Sequence, residues 1–311
     1  MAVKLKGKDL VTLRDWSTEQ IWQVFKTAEM IKQMQYTGQP YQPLKGKTLG
    51  MIFTKPSTRT RVSFEVAIYQ LGGHGLFLSA QELQLRRGET VADTAQVLSR
   101  YLDGIMIRTY AHKDVEDLAE YASIPVINGL TDYAHPCQVL TDLFTIYEKF
   151  GRLDGINMVY LGDGNNNMCN SMLFGAAKVG MNLTISAPEG YEPDAEVLKL
   201  AREDAKATGA KFAFESDPQK AIGGADVIYT DVWTSMGQEE EKEARLKAMQ
   251  PYQVNGELMN LADASSVFMH CLPAHRGEEV TDEVADSVQS IIFDQAENRL
   301  HAQKAVLALT M

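Results

Sequence analysis

Residues 48–79 read TLGMIFTKPSTRTRVSFEVAIYQLGGHGLFLS. The apolar, β-rich run TLGMIF leads into a hydroxyl-rich segment, then into the helical pattern RVSFEVAIYQLG, then into a second β-rich run, GLFLS. Strand, crossover helix and parallel strand form the repeating unit of an open α/β sheet. Outward from this unit the rhythm persists: TVADTAQVLSRYL is helical, GIMIR β-rich, DVEDLAEYA helical and PVING β-rich. After a helix starting near HPCQVLTDLFTIYEKFG it begins again with NMVYLG, NLTISA, KFAFES, DVIYTD, SVFMHC and SIIFD. The expected fold is therefore α/β, with two doubly wound domains, each a central parallel sheet flanked by helices, linked by interdomain helices. The first domain is expected over residues 1–140 and the second over 141–295, with the apolar last helix, about 296–311, packing back onto the first. Near the N-terminus, STEQIWQVFKTAEMIKQM carries Ser17 and Gln20 at capping-box spacing and Ile21, Val24, Phe25, Ala28 and Ile31 on one helical face.

A length of 311 residues matches two domains. A composition 45% hydrophobic and 23% charged is that of a globular protein, and no apolar run is long enough to span a bilayer. The N-terminal MAVKLKGKDLVTLRDW lacks a signal-peptide core, so a cytoplasmic location is expected and no membrane partner. A net charge of -11 excludes a general nucleic-acid-binding surface, which needs a basic face. The acidic stretch GQEEEKEARLK reads as a solvated helix face. Cys137, Cys169 and Cys271 are widely spaced, which argues against a disulfide framework or a zinc site.

In open parallel sheets ligands gather where strand ends enter helices, and the unusual residues of this chain fall at such places. Ser57, Thr58 and Thr60 stand at a helix start, where hydroxyls and free N–H groups surround an oxyanion, and Arg59 adds a forked cation. Ser and Thr there are also ordinary caps. Arg61, two residues on, has Glu65 at i+4 and reads as structural. Arg108 follows GIMI, HPCQ opens a helix, and GDGNNN, DVWTSMG and HCLP each follow an apolar strand. GDGNNN lacks the third glycine of a dinucleotide fingerprint. No cluster with chelating spacing is evident, so neither a metal nor another cofactor is expected.

STRTR, HPCQ, DVWTSMG and HCLPAHRGEEVT, in this order over nearly the whole chain, resemble the aspartate/ornithine carbamoyltransferase family, its ornithine-using members most closely. The resemblance implies transfer of the carbamoyl group of carbamoyl phosphate to L-ornithine, giving L-citrulline and phosphate, in arginine biosynthesis or the catabolic arginine deiminase pathway. By the same resemblance Ser57, Thr58, Arg59 and Thr60 bind the phosphate, and Arg108, His135 and Gln138 reach the carbamoyl end. Cys271 lies beside the reacting amine, the Leu272 carbonyl meets the carbamoyl amide, and Arg299 stands near that group. Gln84, in AQELQLRRGE, belongs to a loop lent to a neighbouring subunit, and a homotrimer or a higher assembly of trimers is implied. Asp231, Ser235 and Met236 hold ornithine together with an asparagine of GDGNNN. That loop has one asparagine more than the family pattern, so the position is Asn166 counted from the strand and Asn167 counted back from the helix. Arg108, His135, Cys271 and Asp231 form the catalytic set. Cys271 as a nucleophile, with His270 or His275 as base, is not needed for amine attack on an activated carbamoyl group. Other amines, such as putrescine, and a non-catalytic phosphate-ligand binder are the alternatives.

Overall fold

The computed structural model describes residues 3–79, 83, 88–234 and 239–311. It divides into two compact units, Met1–Phe144 with Asn298–Met311, and Thr145–Glu297.

The first unit contains α1 (Thr18–Tyr36), β1 (Thr48–Phe53), α2 (Thr58–Gln70), β2 (His74–Ser79), α3 (Val91–Leu98), β3 (Gly104–Arg108), α4 (His112–Tyr121), β4 (Val126–Leu130) and the start of α5 (Pro136–Phe150). Its four strands are parallel, in the order β2-β1-β3-β4. The central strands β1 and β3 are nearly or wholly buried, while the edge strand β2 keeps Leu76 and Phe77 exposed. Leaving β1, the chain winds first to β2 on one side and later to β3 on the other. The switch of direction therefore lies between the carboxyl ends of β1 and β3, where Phe53 is in register with Arg108. Diverging loops at such a point leave a crevice for a ligand.

Local chemistry sets the ends of these elements. Ser17 and Gln20 close a reciprocal capping box on α1, and Ser57 caps α2 by accepting a hydrogen bond from the Thr60 N–H. Pro136 occupies the first position of α5, where its missing N–H costs nothing. The last helix, whose residues 301–307 are all buried, returns to this unit. There Lys304 Nζ donates to Gln35 and Gln70 at 2.8 and 2.9 Å, tying it to α1 and α2.

The second unit holds the rest of α5, then β5 (Asn157–Leu161), α6 (Asn167–Val179), β6 (Asn182–Ser186), α7 (Ala195–Ala205), β7 (Phe212–Phe214), α8 (Pro218–Ala221), β8 (Val227–Thr230), α9 (Lys242–Met249), α10 (Gly256–Met259), β9 (Val267–His270), α11 (Asp282–Ala285) and the start of α12 (Ile292–Thr310). Its strands are parallel, in the order β7-β6-β5-β8-β9. The direction switches between β5 and β8, whose ends Leu161 and Thr230 are in register. GDGNNN leaves β5 there, and Asp231 leaves β8. The stretch read as a solvated face, GQEEEKEARLK, is exposed at 240–244 but buries Arg245, which α9 turns inward. Composition alone hid this, because one inward position in an acidic helix does not alter the pattern.

Candidate active site

At the first switch point, the α2 N-terminus carries the hydroxyls of Ser57 and Thr58 and the exposed Arg59. Thr60 is buried, and its hydroxyl oxygen accepts from Arg108 Nη1 at 3.5 Å and from Arg299 Nη2 at 3.4 Å. Arg299 Nη1 donates to the Gln138 side-chain oxygen, and Gln138 Nε2 donates to Asp142 at 2.8 Å. A chain of polar groups thus runs from α2 through α12 to α5, with Gln138 held at both ends of its amide. Lys55, at the end of β1, is also buried. Its ammonium lies 3.4 Å from Asp132 and 4.7 Å from the Tyr110 ring centroid.

His135 is the group on which these charges converge. Burial holds its imidazole well below the usual histidine range, and Arg299, Arg108 and Lys55 push it further the same way. At neutral pH the ring is uncharged and keeps one N–H, the form suited to donating to a carbonyl oxygen while the arginines attract an anion.

At the second switch point, Asp231 accepts from the Cys271 thiol at 2.9 Å and from the Val232 N–H at 2.7 Å. Burial raises the carboxyl above its ordinary range, opposed by the nearby His270 and by the thiol and N–H donors. After Cys271 the backbone turns through Leu272 at φ 59°, a left-handed conformation unfavourable for a residue with a Cβ. The Leu272 N–H donates to His270 Nδ1 at 2.8 Å, and His270 Nε2 lies 3.1 Å from Glu279, both side chains fully buried. Because Nδ1 accepts, the ring proton sits on Nε2 and points at the Glu279 carboxylate. The GDGNNN loop is tied down as well: the Asn166 side chain caps α6 by accepting from Cys169 N at 2.9 Å, and it donates to the Asp163 carbonyl and to Tyr160 OH, each at 3.0 Å.

Sequence and structural comparisons fit this pair of sites. Residues 8–148 match the carbamoyl-P binding domain of the aspartate/ornithine carbamoyltransferases, and residues 154–310 match their Asp/Orn binding domain. The chain is 60% identical over 311 residues to the ornithine carbamoyltransferase of Pyrococcus horikoshii, covering all of this chain and 98% of that one. An ornithine carbamoyltransferase of Pyrococcus furiosus named as anabolic is equally similar, at 60% identity over 311 residues. The solved structure of the ornithine carbamoyltransferase from Pyrococcus furiosus superposes with a TM-score of 0.96 over 99% of this chain and 98% of that chain, at 60% identity. The chain belongs to the aspartate/ornithine carbamoyltransferase family.

As a carbamoyltransferase it carries several groups that motif reading passed over. The sequence assigns no role to Lys55, Asp142 and Glu279; their burial is what marks them. His270, considered above only as a base for Cys271, instead holds the Leu272 N–H and faces Glu279. Donor atoms of Asp231, His270 and Cys271 lie within 4.8 Å of one another, a grouping that spacing concealed because Asp231 is 40 residues from Cys271. Both His270 nitrogens are already engaged there, so chelation would have to displace native contacts. Burial raises the Cys137 thiol to about 12 and raises Cys169 too, so neither is a reactive thiolate. Arg61 pairs with Glu65 at 3.0 Å and lies over the Phe77 ring at 3.9 Å. Gln84, Ser235 and Met236 lie outside the described residues.

Proposed function

We propose that this carbamoyltransferase uses L-ornithine as its acceptor, converting carbamoyl phosphate and L-ornithine to L-citrulline and phosphate. The observation that carries the reading is the buried Asp231 carboxylate beside the Cys271 thiol at the end of β8, a partner for an amine. The names of the relatives support it.

The α2 N-terminus with Ser57, Thr58, Arg59 and Thr60 takes the phosphate, and Arg108, His135, Gln138 and Arg299 take the carbamoyl group. Cys271 and the Leu272 carbonyl orient the carbamoyl amide and the amine. Asp231, with Ser235 and Met236, receives ornithine. Asn167 takes its carboxylate side, in preference to Asn166, whose amide is spent on the α6 cap. The neutral δ-amine attacks the carbamoyl carbon and forms the C–N bond. Negative charge on the carbonyl oxygen is stabilised by Arg108, neutral His135 and Thr60. The bond between the carbamoyl carbon and the bridging phosphate oxygen then breaks, phosphate leaves with the electron pair next to Arg59, and the nitrogen's extra proton passes to the departing phosphate.

Two consequences are measurable. With ornithine subsaturating, kcat/KM rises about tenfold per pH unit until the δ-ammonium has lost its proton. His135 adds no ionisation of its own near neutrality, because it is already uncharged. A profile flat from mildly acidic to alkaline pH would sink direct attack by the free amine. Arg59→Ala removes the exposed forked cation, and carbamoyl phosphate should bind about 10- to 100-fold more weakly by calorimetry. Unchanged affinity would remove Arg59 from the phosphate site.

The acceptor is tested by citrulline formation with L-ornithine, run beside putrescine, L-aspartate and N-acetyl-L-ornithine. Turnover with ornithine alone is expected, and turnover with another amine instead would overturn the assignment of Asp231. An anabolic role in arginine biosynthesis is the pathway reading, supported by the name of the Pyrococcus furiosus relative. Among the described residues no helix is long and apolar enough to cross a membrane, in keeping with a proposed cytoplasmic location. A homotrimer is supported by exposed Val62, Tyr69, Leu76 and Phe77 on α2 and the β2 edge. Light scattering giving the mass of one chain would exclude it.

A further inference from the structure

Arg245 is a buried cation outside the family motifs, and it bonds to both loops of the second switch point. Its Nη1 donates to Asp163 Oδ2 at 2.7 Å and to the Trp233 carbonyl at 3.4 Å, and its Nε donates to Glu241 at 2.9 Å. The guanidinium also lies 5.2 Å from the Tyr191 ring centroid. Asp163 belongs to the β5–α6 loop, four residues before Asn167, and its other oxygen accepts from the Asn165 N–H at 2.9 Å. Trp233 belongs to the loop leaving β8, two residues after Asp231.

A second observation shows how closely these loops pack. Gly162 has φ +115°, and a Cβ there would stand 3.1 Å from the Trp233 indole nitrogen. The indole of one loop is thus seated on the backbone of the other. The β5–α6 loop is fixed on its other side too, since the Gly164 N–H donates to the carbonyl of Tyr191, in the β6–α7 loop, at 2.9 Å and a Cβ would lie 2.7 Å from that oxygen. Loops at a switch point diverge by topology. Left to themselves, two such loops wander independently, and any ligand gripped by both pays to order them.

We propose that Arg245 is a positioning residue for the amino-acid substrate: by bonding Asp163 and the Trp233 carbonyl together, it sets the spacing between Asn167 and Asp231 that ornithine requires. The inference rests on the ornithine reading above. The buried Arg245–Asp163 pair is retained at a cost, because two desolvated charges recover little more than their desolvation penalty. Nη1 alone meets both Asp163 and the Trp233 carbonyl, while Nε holds the guanidinium to Glu241; a lysine ammonium placed at Nη1 has no second nitrogen for Glu241 and keeps the two loop contacts less firmly oriented.

Three variants of the full chain test this: Arg245→Gln, Asp163→Asn and Arg245→Lys, each checked for folding by circular dichroism and thermal unfolding. Steady-state kinetics with both substrates, and calorimetric binding of L-norvaline, which has the amino-acid head group but no δ-amine, are then measured. For the two neutral variants KM for ornithine rises about 10- to 100-fold, while KM for carbamoyl phosphate and kcat stay within about threefold. Norvaline binding weakens in parallel, and Arg245→Lys lies between these variants and the wild type. A folded neutral variant with the wild-type ornithine KM overturns the proposal, as does an equal rise in KM for both substrates, which marks general destabilisation. If neither neutral variant folds, a wild-type ornithine KM in Arg245→Lys overturns it and a raised one supports it. If the wild type does not carbamoylate ornithine at all, it is the functional reading that fails.

Discussion

Arg108→Met is expected to lower kcat/KM for citrulline formation by about three orders of magnitude or more, the scale of losing a preorganised oxyanion donor together with a phosphate contact. Arg108 ends β3 in register with Phe53, so rigid sheet backbone aims its guanidinium at the α2 N-terminus, where it meets Thr60. Burial is the main reason His135 does not take up a proton, and Arg108 is one of three cations that add to it. Removing Arg108 leaves burial, the largest cause, and two of the cations in place, so His135 should stay uncharged near neutrality in the variant. A second readout separates site loss from unfolding. Carbamoyl phosphate raises the unfolding midpoint of the wild type by binding the folded state alone, and the variant should show little of this shift while remaining folded. Activity within about tenfold of the wild type would remove Arg108 from the oxyanion-stabilising role.

Asp231→Asn pairs loss of function with a gain in stability. With its carboxylate neutralised, the amine half-site loses its charge, and kcat/KM for ornithine falls by about 10²- to 10³-fold, the cost of removing one partner of a desolvated charge pair. Carbamoyl phosphate affinity stays unchanged. Stability moves the other way. Burial raises the folded-state pKa of Asp231 above the unfolded value of 3.8, so the folded state binds more protons than the unfolded state between those two values. Stability from this group is then greatest at acid pH and is lost as pH rises through that window. At neutral pH the ionised carboxylate is a net cost, which asparagine removes while its side-chain oxygen still accepts from Cys271 and Val232 N–H. Thermal unfolding at neutral pH should give a higher midpoint for the variant. A lower midpoint would mean that the donors to Asp231 outweigh its desolvation.

Both predictions draw on features of unequal visibility in the sequence. The hydroxyl-rich helix start was legible because it is contiguous: Ser57 to Thr60 occupy the cap and first turn of one helix, and capping is decided by the residues themselves. Asp231 and Cys271 were visible as residues at strand ends, but their bond joins positions 40 apart. Asn166 and Asn167 show the limit of local reading. Asparagine caps a helix equally well at either position, and only the fold shows that Asn166 does so. Arg245 was misread with its acidic neighbours because its partner Asp163 is 82 residues away.

From its residues alone this chain specifies two α/β halves, since strand and helix periodicity and the chemistry of caps and turns act over a few residues. The motifs that name its chemistry are equally local. The tertiary structure decides which charges share a site and in what protonation state. Arg299 reaches Thr60 across 239 residues of chain, and His135 is held neutral by burial and by cations drawn from α12, β3 and the segment after β1. Desolvation and Coulomb energy depend on distance through space, and chain order does not encode that distance until the sheets have formed.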